Sequence, residues 1–233
     1  MKNRIRSTWA DLMRNRVIYL YLVTLSLLIS LPLRGQTREQ ETEDPHLVTR
    51  GLVVKPPYRP ITAKQRVHWA VKSTIGPEAL MAGVLTSGIS TATNQPSEYG
   101  PSWGGFARRY GIRLTGIATG SAMEAGLGAI WGEDPRYQRA PSDALFGGRV
   151  WNAIKLTFMA RYSDGHFAPA YARLIAVPGN NLLSNTWRAP SETHVGDVAL
   201  RSLLGILGRM AANEFVEFWP DVRRRIAHSK EER

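Results

Sequence analysis

Cysteine is missing from all 233 residues, which removes thiol nucleophiles, thiolate zinc sites, disulfide frameworks and sulfur-linked lipid anchors, because each requires that atom. Most short signatures of familiar enzymes are missing too. No His-Glu-x-x-His, Ser-x-x-Lys or Gly-x-x-x-x-Gly-Lys occurs, and no Gly-x-Gly-x-x-Gly opens a helix after a strand, so the common metallohydrolases and nucleotide enzymes have no anchor here. A Gly-x-Ser-x-Gly spacing is present at Gly100-Pro101-Ser102-Trp103-Gly104, but it lies among turn formers and not after a strand, the context a nucleophile elbow requires. The histidines, at 46, 68, 166, 194 and 228, are dispersed with no pair at i,i+4. A helix-borne metal site therefore has no nucleus, and neither a metal nor a cofactor is expected. No stretch alternates with period two and no 20-to-50-residue repeat is visible, so the predicted class is all-α.

What is present begins with basic charge. The formal net charge is +11, but much of it sits at the N-terminus: Lys2, Arg4, Arg6, Arg14 and Arg16 precede an uncharged run from Val17 to Leu33. Basic residues followed by about 17 apolar ones read as a signal peptide or signal anchor over residues 1–35, with the N-terminus kept cytoplasmic by the positive-inside bias. Export to the periplasm or cell envelope is the expectation, with anchoring through residues 17–33 as the variant in which the segment is retained. From Gln36 onward 24 Lys+Arg face 18 Asp+Glu, and this mild excess removes the main support for a nucleic-acid partner. Residues 36–61 read as a Pro-rich extended linker, and 62–233 as one helical domain.

Within that domain the pattern is a compact bundle of five or six helices. Thr62 is a candidate N-cap for a first helix in which Val67, Ala70 and Val71 share a face. A second helix starts at Pro77, with small residues at Ala79, Gly83, Ser87 and Thr91 and a bulky stripe at Leu80, Val84, Leu85 and Ile89. A third spans about Trp103 to Trp131 and carries Gly116, Gly120, Gly128 and Gly132, interrupted by Glu124. Interior glycine costs about 1 kcal/mol against alanine, so the second and third helices are expected to touch closely along these small faces. A fourth helix over 145–162 is predicted to bury Phe146, Val150, Ile154 and Phe158, leaving Arg149, Asn152 and Lys155 outside. A fifth over 169–187 is expected to break at Val177-Pro178-Gly179. A sixth over 194–218, cored by Leu203, Ile206, Leu207 and Met210, is followed by a short basic helix from Pro220.

Four segments carry a resemblance: Phe106 with Arg109-Tyr110-Gly111, Asp134-Pro135-Arg136-Tyr137, the Trp187 to Pro190 stretch, and Phe218-Trp219-Pro220-Asp221. Through them the chain, from about Lys64 to Arg225, resembles an uncharacterised family of exported bacterial helical proteins. That family has no assigned activity, so the resemblance implies one exported domain and no catalytic residues.

Two sets of residues are candidates for chemistry. Glu133 and Asp134 after the third helix, with Asp164 and His166 after the fourth, could supply a general acid-base pair for a periplasmic hydrolase or transferase. Consecutive up-down helices place those loops at opposite ends, which opposes the idea. Arg108, Arg109 and Arg113, interleaved with Trp103, Phe106 and Tyr110, are candidate ligands for an anionic lipid headgroup, and Arg136 and Tyr137 are further candidate binding residues. The resulting expectation is an envelope-associated structural or binding protein that meets membrane or an envelope partner through basic-aromatic rims, with the loop-carboxylate enzyme as the alternative.

Overall fold

The computed structural model describes residues 58–231, except 142, and side chains to Arg224; the predicted signal segment and nearly all of the linker lie outside the described residues. The fold is predominantly helical, as expected. Its helices are α1 (Ala63–Ile75), α2 (Pro77–Ala92), α3 (Trp103–Trp131), α4 (Phe146–Phe158), α5 (Tyr171–Leu183) and α6 (Val195–Glu231). Thr62 caps α1 in a capping box with Gln65, Ser102 caps α3, and Gly132 ends α3 at φ +75°, a left-handed stop that glycine adopts without strain.

α3 is the central element. α1 packs on its C-terminal half, where Gly128 faces Arg66, and α2 on its N-terminal half, where Gly83 faces Tyr110. α5 lies antiparallel along another side, with Asn180 donating to the Gly116 carbonyl (2.9 Å) and Arg173 to Glu124 (2.9 Å). α6 then packs on α5, and α4 on α6. The small stripe of α2 is buried as predicted, through Gly83 and Ser87, but at Gly83 it meets Tyr110 and not the ladder glycines of α3. Those receive other helices, Gly120 facing Asn180 of α5 and Gly128 facing Arg66 of α1, because Gly120 lies on a different side of α3 from Tyr110 and Gly128 lies in the half that α1 covers.

The sequence pattern missed a sheet. β1 (Glu133–Asp134), β2 (Met159–Tyr162) and β3 (Phe167–Pro169) form a three-stranded antiparallel sheet, in which Glu133 pairs with Tyr162, Asp134 with Arg161 and Arg161 with Phe167. The expected fourth helix therefore stops at Phe158, and the chain continues into a hairpin around Gly165. Strands this short give no periodicity to read.

Two predicted helix breaks are absent. α5 runs through Pro178, held by Asn180 on α3 and by close packing of Gly179 on Met123. α6 runs through Pro220, where Glu217 and Asp221 on either side are both gripped by Arg149. In each case tertiary bonds outweigh the missing backbone donor.

The predicted core faces are corrected more deeply. Phe146 and Phe158 are exposed, while Ala153, Leu156 and Thr157 are buried and Arg149 and Asn152 turn inward to bond Glu217 and Tyr137. Val67 and Val71 are exposed and Arg66 is buried; Leu203 is exposed and Asn213 and Glu217 are buried. The seams between helices are filled by alanine, glycine and paired polar groups, so bulky apolar side chains are turned out.

Close approach gives the first test. A Cβ on Gly83 would sit 2.8 Å from the Tyr110 ring and one on Gly120 would sit 3.1 Å from Asn180 Nδ2, whereas Gly126 has open space. Gly83→Leu and Gly120→Leu should each cost about 1–3 kcal/mol, and Gly126→Ala should gain up to about 1 kcal/mol, measured by thermal unfolding.

Candidate functional site

The sheet brings the chain after α3 beside the chain after α4, which the simple up-down topology did not allow. The four candidate groups nevertheless divide into two buried and two exposed. Glu133 is buried, accepting from the Ala172 amide through both carboxylate oxygens (3.1 Å each) and from the Tyr162 hydroxyl (2.9 Å). Ala172 lies in the first turn of α5, whose own N-cap residue, Ala170, has no side-chain acceptor to offer. Glu133 therefore caps that helix from a neighbouring strand, with its negative charge at the positive end of the dipole.

Asp134 is 1 % exposed. Its oxygens accept from the Arg136 amide (3.0 Å), Arg136 Nε (2.9 Å) and Nη2 (2.6 Å), and the Tyr58 hydroxyl (2.9 Å). Burial, then the carboxylate, push the Tyr58 phenol up to about 12, so it remains a donor. Arg161 lies 4.5 Å from the Tyr58 ring centre, completing a clasp on the last linker residues. Asp164 and His166 sit exposed at the β2–β3 turn and bond each other; the His166 amide and ring hold the Asp164 carboxyl below its usual range. The crevice between Glu124, Glu133, Asp134 and Arg173 is too narrow to admit a water molecule. Among the described residues no group of three or more carboxylates and histidines could hold a metal ion.

Of the predicted headgroup ligands, Arg109 is corrected. It is buried, donating to the carbonyls of Gln95 (3.0 Å), Pro96 (2.7 Å) and Gly100 (2.7 Å), and so braces the α2–α3 loop. Arg108 is exposed over the Tyr99 ring, and Arg113 lies near Gly83 on the α2 side of α3. Arg136 is taken by Asp134, and the Tyr137 hydroxyl donates to Glu217 at 2.6 Å. Exposure was not readable from the spacing, because Arg109 faces a loop whose path depends on α2.

Sequence reasoning missed the centre of the molecule. Glu124 accepts from Arg173 (2.9 Å) and Arg209 (3.3 Å); Arg173 also donates to the last carbonyls of α4, Leu156 (2.7 Å) and Thr157 (2.9 Å). Glu217, fully buried, accepts from Tyr137, the Ala140 amide (3.1 Å) and Arg149 (3.0 Å). The Asp-Pro-Arg-Tyr loop and the Phe-Trp-Pro-Asp segment thus meet through Tyr137, Glu217 and Arg149. The available signal was Glu124 breaking the glycine ladder, and Glu217 adjoining the second motif. No protein-family model, curated protein or solved structure matches this chain.

These bonds give two tests. Asp134→Asn and Arg136→Gln should each destabilise by about 1–3 kcal/mol, and the double variant should cost less than the two together because they share one interaction; near-zero, additive changes in thermal unfolding would contradict the structural role. Glu214 is pushed up to about 7 by burial, with Glu217 adding repulsion. A carboxyl with a raised folded pKa favours folding while protonated and loses that contribution as pH rises toward 7. Glu214→Gln should therefore stabilise by about 1–2 kcal/mol at pH 8, discounted for partial exposure, with the gain fading toward pH 4.5.

Proposed function

We propose that the chain is exported and acts as an envelope-associated structural or binding protein that contacts membrane. The observation that carries this reading is an inverted distribution of side chains. The largest fully buried ones are Glu217, Thr157, Asp134 and Ser184, whereas Trp103 is 86 %, Leu145 84 % and Val195 81 % exposed. Large apolar side chains left outside while charges are paired inside need an apolar environment to cover them. No helix of the described residues is long and apolar enough to cross a membrane, so the contact proposed is with the bilayer surface. The resemblance to exported bacterial proteins and the charged-then-apolar N-terminus support the location. Glu133 and Asp134 are committed to a helix cap and an ion pair, which favours this reading over the loop-carboxylate enzyme.

Flotation of residues 36–233 with anionic vesicles tests it. Salt-sensitive recovery with the lipid fraction is expected. Recovery only in the protein fraction, at low salt as at high, would overturn the membrane reading.

A further inference from the structure

Two consecutive helices share one side of the molecule. α1 turns Arg66 to α3, and α2 turns Gly83 and Ser87 to it, so the opposite faces of both helices point away from the body. On those faces Val67, Val71 and Ile75 recur every four residues along α1, and Met81, Leu85 and Ile89 do the same along α2 beside Val84. All seven are between 45 and 65 % exposed. The charges beside them are of one sign on α1: Lys64 and Lys72 are exposed, and no acidic residue lies on that helix. On α2 the single charge is Glu78, in the first turn.

Resting on the membrane reading above, we propose that this α1–α2 face is the surface that lies on the bilayer, its apolar stripes at the acyl boundary and Lys64 and Lys72 on anionic phospholipid headgroups. Lysine suits that position because its stem covers apolar surface while its ammonium reaches the phosphates. Charge complementarity favours this face over exposed Val195 at the start of α6, which lies beside Asp197, a group anionic headgroups repel. On α4 the basic residues are engaged within the protein, Arg149 by Glu217 and Asp221 and Lys155 over the Phe167 ring, whereas Lys64 and Lys72 are exposed on α1. α1 is also the first helix after the segment read as the export signal.

The absence of cysteine makes a direct test simple. Val71→Cys, Leu85→Cys, Val195→Cys and Leu203→Cys in the full chain, each carrying one environment-sensitive fluorophore, are mixed with phosphatidylcholine vesicles with or without phosphatidylglycerol. All four positions are exposed, so the label should leave far-UV dichroism and thermal unfolding unchanged. Blue-shifted emission at 71 and 85 alone, stronger with phosphatidylglycerol, is expected. Lys64→Gln/Lys72→Gln should shift the contact equilibrium roughly 30-fold toward the water-exposed position. A response at 195 or 203 instead would overturn this face while leaving membrane contact standing, and silence at all four would overturn both. A shift at 71 and 85 without vesicles that tracks protein concentration would assign the face to a second copy of the chain and overturn the lipid.

Discussion

A carboxylate taken out of water must be paired, and the Glu124 side chain imposes that requirement at the middle of α3. Two guanidinium groups meet it, Arg173 from α5 and Arg209 from α6. Arg173 then reaches the last carbonyls of α4, which are among the unsatisfied acceptors every helix end leaves. Arg209 reaches the Pro135 carbonyl at 2.9 Å, just beyond β1, and burial with the nearby Arg173 charge lowers it to about 10, so it stays charged at neutral pH. One anion therefore fixes the relative positions of α3, α4, α5, α6 and the sheet. Removing Glu124 would leave both guanidinium groups without their shared anion, a loss larger than the net worth of either pair.

The same logic repeats at the edges. Glu133 replaces the missing cap of α5, Asp134 ties Arg136 and the Tyr58 hydroxyl, and Glu217 collects Tyr137, Ala140 and Arg149. Each carboxylate joins elements far apart in sequence and each has its acceptor sites largely occupied. Chemistry on a substrate would require breaking one of these bonds, whereas a scaffold uses them as they stand. The ion pairs also specify register: a charged seam tolerates sliding less than an apolar one, because a shift of one turn leaves its charges unpaired.

Filling the seams with charges, alanine and glycine has a consequence for the exterior. Adjacent helices approach closely only where side chains are small, as at Gly83, Gly120 and Gly128, and bulky apolar residues are thereby excluded from the contacts. They remain on the outer faces of α1, α2, α4 and α6. Those on α1 and α2 are the ones that the proposed membrane contact would cover.

Composition and local pattern were sufficient for the helical class, for the span of α3, for the Thr62 cap and for the burial of the small face of α2, because each depends on residues near one another in the chain. That Gly120 and Gly128 of α3 receive α5 and α1, and not α2, was decided by the tertiary structure. The glycine at 132 ends its helix wherever that helix is placed. The orientation of the helices could not be read the same way. An amphipathic pattern says which face is apolar, and the usual inference that this face is buried failed for Phe146, Val67 and Leu203, since the interior here was claimed by paired charges. Pro178 and Pro220 looked like breaks because their local cost is certain and their compensation is not: Asn180 on Gly116, and Arg149 on Glu217 and Asp221, exist only once α5 meets α3 and α4 meets α6. The sheet and the fate of Glu133, Asp134 and Arg109 belong to the tertiary structure for the same reason, because the partner that satisfies a polar side chain from across the fold leaves no trace in the sequence around it.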